Sequence, residues 1–207
     1  MDFNLSKGER FNLTKETGGK TNFYIGVEWD TPKQAGGHDF DLDTSIFGCA
    51  IDANDDPKLF REDYFVYYGR AASPGAPFFS EDGAIHHSGD NRTGAGDGDD
   101  EQVRIYLDKI DPRTEEIAIV VTLHDAAIRG QNFGQVRKAK VRICEMDDSG
   151  NPTTELRRFE LTEDYSAFTA LVFGQIYKRG DGDWAFNAVG QGIPNGTLQQ
   201  IVENYKN

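Results

Sequence analysis

Apolar and polar residues alternate with a period of two along most of the chain. Val103, Ile105 and Leu107 alternate with Arg104 and Tyr106, Val141 and Ile143 with Lys140 and Arg142, and Phe159 and Leu161 with Arg158 and Glu160. Trp184, Phe186 and Ala188 share one face, with Asn187 on the other. Such alternation predicts strands with one face on a core and one in water. Phe23 to Trp29, Ile117 to Leu123 and Leu171 to Tyr177 are more continuously apolar and are expected as central strands. Turn signals recur at Thr17-Gly18-Gly19, Ala35-Gly36-Gly37, Ser73-Pro74-Gly75, Ser149-Gly150-Asn151-Pro152 and Gly180-Asp181-Gly182. Many short strands so punctuated predict an antiparallel sandwich or barrel.

One segment has the helical period instead. Leu198, Ile201, Val202 and Tyr205 fall at i, i+3, i+4 and i+7, and Thr197 followed by Gln200 forms a capping box. A short C-terminal amphipathic helix lying on the sheet is expected. No repeat or linker interrupts residues 1–207, which are read as a single domain. The least regular stretch, residues 53 to 83, frames a short expected strand at Tyr64 to Tyr68 between turn-rich pieces that suit insertions.

Composition narrows the function. With 35 acidic against 22 basic residues the formal charge is −13, so the chain repels phosphate backbones, and no direct nucleic-acid partner is expected. Cations are the natural partners. No run approaches the ~20 apolar residues of a membrane span, and the start Met1-Asp2-Phe3-Asn4-Leu5 lacks the basic and apolar regions of a secretory signal. Cys49 and Cys144 are two strand cysteines far apart in sequence, which speaks for a reduced, cytoplasmic protein and inert thiols.

The segment Gly89 to Glu101 holds five carboxylates and four glycines in thirteen positions, with Arg92 alone to compensate. Glycines let the backbone turn sharply and aim carbonyls inward. Hard oxygens on such a loop suit Ca²⁺, which takes about six to eight of them at roughly 2.3–2.6 Å. A solvated acidic turn is the alternative. The spacing is not that of an EF-hand, and Gly94-x-Gly96-x-Gly98 is no phosphate cradle, because its neighbours are carboxylates. A second acidic element, Asp39-Phe40-Asp41-Leu42-Asp43, places three aspartates on one face of an expected strand. Asp41 and Asp43 are expected opposite the acidic loop, completing a cage that neither segment builds alone.

These motifs resemble the signature of the TerD family of tellurium-resistance and stress-response proteins. Asp41-Leu42-Asp43-Thr44-Ser45 and Gly89 to Glu101 carry the resemblance most specifically. Leu5-Ser6-Lys7-Gly8, Leu13-Thr14-Lys15, Gly26-Val27-x-Trp29-Asp30, Val120 to Ala126, Gln131 to Val136, Phe173-Gly174 and Ala188-Val189-Gly190-Gln191-Gly192 match in order. The stretch Cys49 to Phe79 looks longer than the family norm, an insertion within 49–79.

The resemblance implies a mainly β protein, an antiparallel β-sandwich that binds Ca²⁺ at two neighbouring sites and has no catalytic residues. Its ligands would be Asp41, Asp43, Asp90, Asn91, Asp97, Asp99, Asp100 and Glu101, with the backbone oxygen of Gly96. It further implies a non-catalytic interaction module in stress response, assembling with other tellurium-resistance operon proteins in the cytoplasm or at the inner membrane surface. Two other classes compete: a metal-dependent phosphoester hydrolase, and a calcium-dependent membrane-surface module using Phe78-Phe79. His86-His87 are expected as a strand-end pair rather than as ligands, since imidazole suits softer metals. His124-Asp125 with Gln131-Asn132 are expected to shape a loop near the metal face. Phe173-Gly174 suggests a bulge.

Overall fold

A computed structural model describes residues 3–30, 39–92, 94 and 98–206. In chain order its strands are β1 (Arg10–Asn12), β2 (Asn22–Asp30), β3 (Leu42–Ile51), β4 (Pro57–Leu59), β5 (Phe65–Val66), β6 (Phe78–Phe79) and β7 (Ile85–His87). There follow β8 (Glu101–Tyr106), β9 (Glu116–Leu123), β10 (Arg137–Met146), β11 (Pro152–Glu160), β12 (Ala170–Lys178), β13 (Trp184–Asn187) and β14 (Gln191–Ile193). One sheet runs β1-β13-β12-β9-β3-β4, with β14 added on β12 and β5 on β3. The other runs β11-β10-β2-β8-β7-β6. Neighbouring strands in both sheets are antiparallel.

The inner faces of the two sheets meet in one core. Ile25 and Val27 of β2, Val103 and Ile105 of β8, and Val141 and Ile143 of β10 face Ile46 of β3, Ile117, Ile119 and Val121 of β9, and Leu171 and Phe173 of β12. The continuous apolar character of β9 and β12 has a direct cause. Their outward residues Ala118, Val120, Ala170 and Val172 pack with Phe47 and Cys49 under Ile201 and Tyr205 of the C-terminal helix Leu198–Tyr205. An eight-residue helix is marginal alone, so this buried face holds it. The capping box forms as expected, with the Thr197 hydroxyl accepting from the Gln200 N–H and the Gln200 side chain accepting from the Thr197 N–H. Gly174 sits at the register shift in β12, where any side chain would enter the Phe186 ring of β13.

Two local expectations change. The strand proposed at Tyr64 to Tyr68 shrinks to β5, flanked by single 3-10 turns at Glu62–Tyr64 and Tyr68–Arg70. The stretch is instead fixed by a polar knot. The Tyr64 hydroxyl donates to Asp82 and accepts from the Asp111 N–H, while Arg61 lies over the Tyr64 ring and pairs with Asp63, Asp82 and Asp111. Likewise Asp39, Asp41 and Asp43 do not share a strand face. β3 begins at Leu42, Asp39 is exposed, and both Asp41 and Asp43 are buried.

Candidate metal site

The start of β3 lies beside the end of β9, with Asp43 opposite Thr122 and the Asp41 carbonyl accepting from the His124 N–H at 2.8 Å. That pairing fixes the backbone of both aspartates at one end of the sandwich. Asp90 reaches them from the other sheet, just beyond β7. His87, the last residue of β7, sets its position: its Nε2 lies 3.2 Å from the Thr44 carbonyl of β3, and its Nδ1 accepts from the Gly89 N–H at 3.1 Å. Burial pulls His87 below its usual pKa, consistent with a neutral ring that donates one proton and accepts another. The result is that one carboxylate oxygen from each of Asp41, Asp43 and Asp90 lies within 4.8 Å of the others.

Three carboxylates so close and so shielded repel one another. Each has a cationic neighbour: His124 Nδ1 at 3.3 Å from Asp43, Arg129 Nη1 at 3.9 Å from Asp41, and Arg92 Nε at 2.7 Å from Asp90. The bond to Asp43 raises His124 above its usual pKa, favouring the charged ring. Burial nevertheless raises Asp41 and Asp43, so the local cations do not replace the lost water.

Glu101, the first residue of β8, stands beneath this group and is fully buried. Its Oε2 accepts from the Thr44 N–H at 2.5 Å, and its other oxygen has no partner. Burial, and then the charge of Asp43, hold its carboxyl well above the ordinary range. The Oδ1 of Asp41 and the hydroxyls of Thr44 and Ser45 are also buried without partners. Carboxylate oxygens from the start of β3 and from the loop after β7 therefore converge here, with the buried carboxyl of Glu101 close enough to feel the charge of Asp43.

Other candidate ligands lie elsewhere. Asp99 turns to the outer face of the second sheet, over Gly26, where Arg142 of β10 grips it at 2.9 and 2.7 Å and the Tyr24 hydroxyl donates to it at 2.8 Å. Asp100 accepts from the Trp29 N–H at 3.0 Å and from the Asn91 amide at 3.1 Å, so this pair shapes the loop. Gly94, at φ +55°, lies against the Trp29 indole with no room for a side chain. Gly96 and Asp97 lie outside the described residues. His124 stands at the acidic group, with its Nδ1 3.3 Å from Asp43. His86 instead packs against Phe79 and Tyr106. Arg129 was not foreseen. It lies 88 positions from Asp41 in sequence, and only the return of β9 alongside β3 brings it near.

A family model for the TerD domain matches residues 1–205. The chain belongs to the TerD domain family. It is 45% identical over 205 residues to the protein YceE of Bacillus subtilis (strain 168), covering 99% of this chain and 98% of that one. It is 41% identical to the tellurium resistance protein TerD of Serratia marcescens, over 99% of this chain and 97% of the relative. General stress protein 16U of Bacillus subtilis (strain 168) is 40% identical with the same coverage. A crystal structure of a TerD homologue from Streptomyces coelicolor A3(2) superposes with a TM-score of 0.66 at 20% identity, covering 90% of this chain and 99% of that one, which shows the shared fold. This TerD domain is thus a two-sheet protein of the tellurium-resistance and stress-response family. Among its described residues no helix is long and apolar enough to cross a membrane.

Proposed function

We propose that this TerD domain is a calcium-binding, non-catalytic interaction module of the stress response. The observation that carries the reading is the meeting of Asp41, Asp43 and Asp90 above buried, unpartnered oxygens of Asp41 and Glu101. A divalent ion would neutralise the group without a redox or thiol ligand, and an all-oxygen donor set drawn from a strand and a loop suits Ca²⁺ better than the stricter octahedron of Mg²⁺. A second ion, as the family resemblance implies, would draw on the Gly96–Asp97 segment. Loading would tie β3 to the loop after β7 and present a rigid, less acidic surface to a partner. The partners proposed are other tellurium-resistance operon proteins, met in the cytoplasm or at the inner membrane surface.

The test is titration calorimetry with Ca²⁺ against Mg²⁺, together with thermal unfolding with and without chelator. At a hundredfold excess over its dissociation constant, one site adds about 2.7 kcal/mol of stability by mass action. Asp43→Asn is expected to remove the heat and the calcium-dependent part of the melting shift. Absence of binding heat at millimolar Ca²⁺ would end the reading.

A further inference from the structure

The C-terminal helix Leu198–Tyr205 and the acidic group share one face of one strand. Side chains two apart on a strand point the same way, so Asp43, Ser45, Phe47 and Cys49 all lie on the outer face of β3, and all are buried. Phe47 and Cys49 lie under Ile201 and Tyr205 of the helix. The start of the helix, Thr197 and Leu198, lines the same cavity of about 340 Å³ as Asp43 and His124.

A row of six rings joins the two places a second time. The Tyr205 ring stacks on Phe47 with centroids 4.4 Å apart, Phe47 on Phe65 at 4.8 Å, and Phe65 on Tyr67 at 4.3 Å. Tyr67 then meets Tyr68 edge to face at 5.5 Å, and Tyr68 meets His124 in the same way at 5.4 Å. His124 ends the row, with its Nδ1 3.3 Å from Asp43. We propose that this row couples the seating of the helix to cation loading of the acidic group, so that loading tightens the helix. For its ion the inference rests on the calcium-binding reading.

The helix is the responsive end. Eight residues form a marginal helix on their own, so it opens locally at less cost than the sheets. Packed rings pass from one arrangement to another rather than deform by degrees, so a displaced ring displaces its neighbour. At the other end, repulsion among Asp41, Asp43 and Asp90 works against the closed start of β3, and a bound cation relieves it. The Tyr68–His124 contact lies at that same spot, so whatever holds Asp43 still also holds the end of the row. Ca²⁺ slows opening of the helix only if the open state binds it less tightly, which is the content of the coupling.

The test is amide hydrogen exchange on the full chain, followed residue by residue by NMR with and without saturating Ca²⁺. Ile201 to Tyr205 are expected to exchange at least about fivefold more slowly with the ion, the lower end of ordinary coupling. β1, at the far edge of the same sheet, is the reference and is expected to keep its rate. An ion that only stabilised the whole fold would leave the locally opening amides of both segments unchanged. Tyr67→Leu breaks the row midway and should remove most of the slowing while the heat of Ca²⁺ binding remains. Tyr67→Phe keeps the ring and should keep the slowing. Asp43→Asn removes one of the repelling charges and should slow Ile201 to Tyr205 without any ion. Binding heat without slowing overturns the coupling and leaves the calcium reading intact. Undiminished slowing in Tyr67→Leu overturns the row as its carrier. If no binding heat is seen, the calcium reading fails and the Asp43→Asn comparison decides alone: unchanged exchange at Ile201 to Tyr205 then overturns the proposal.

Discussion

Replacing Arg142 by leucine is expected to lower the unfolding free energy by about 3–5 kcal/mol, measured by urea denaturation. The Asp99 side chain is 1% exposed and rests on Gly26, with Arg142 holding both of its oxygens and Tyr24 donating a further hydrogen bond. Removing the guanidinium leaves a buried carboxylate with one neutral donor, which is far more harmful than losing an exposed pair worth at most about 1 kcal/mol. The double variant Arg142→Leu with Asp99→Asn should recover a large part of the loss, because no uncompensated charge remains. A loss below about 1 kcal/mol in the single variant would show the pair behaving as a solvated surface contact. Because Asp99 faces away from Asp41, Asp43 and Asp90, the calcium response should survive in the folded fraction. Its disappearance would return Asp99 to the ligand set.

Trp29→Ala is expected to have an effect of similar size on stability and a second effect at the acidic end. The indole is 1% exposed, and truncating a buried tryptophan removes about 3–5 kcal/mol. Its Nε1 donates to the Phe40 carbonyl at 3.1 Å, one residue before Asp41, and its backbone N–H donates to Asp100 at 3.0 Å. Gly94 of the acidic loop leans on the same ring. One side chain therefore braces both acidic segments. Under the calcium-binding reading the affinity should fall by about 10–100-fold, the usual consequence of losing a group that orients metal ligands. Trp29→Phe separates the two roles, since it keeps much of the packing while withdrawing the donor to Phe40.

The sheet architecture was legible because burial on both faces writes itself into sequence. β9 and β12 read as continuous apolar runs since one face meets the core and the other meets Ile201 and Tyr205. The C-terminal helix was legible from Thr197, Gln200 and a short apolar stripe, all local signals. The acidic site was legible only in part. Spacing marked Asp41 and Asp43, and composition marked the whole of Gly89 to Glu101, but composition does not say which way each carboxylate turns. Asp99 goes to Arg142, 43 positions away across a sheet, a pairing that neither propensity nor period encodes. Arg129 and the knot around Tyr64 were hidden for the same reason: their partners come from other strands or distant turns. The expectation of three aspartates on one strand face failed because β3 starts at Leu42, leaving Asp39 exposed ahead of it.

Cys49 belongs to β3 in one sheet and Cys144 to β10 in the other, and both thiols are buried. Burial pushes the Cys49 thiol far up and that of Cys144 to about 12, so neither offers appreciable thiolate in the folded chain. The molecule thereby carries one silent alkylation clock per layer. Mass-resolved labelling with iodoacetamide would time the exposure of Cys49 beneath the C-terminal helix separately from that of Cys144 beside Tyr24 and Met146, and equal rates would mean that both outer faces are exposed in a single cooperative event.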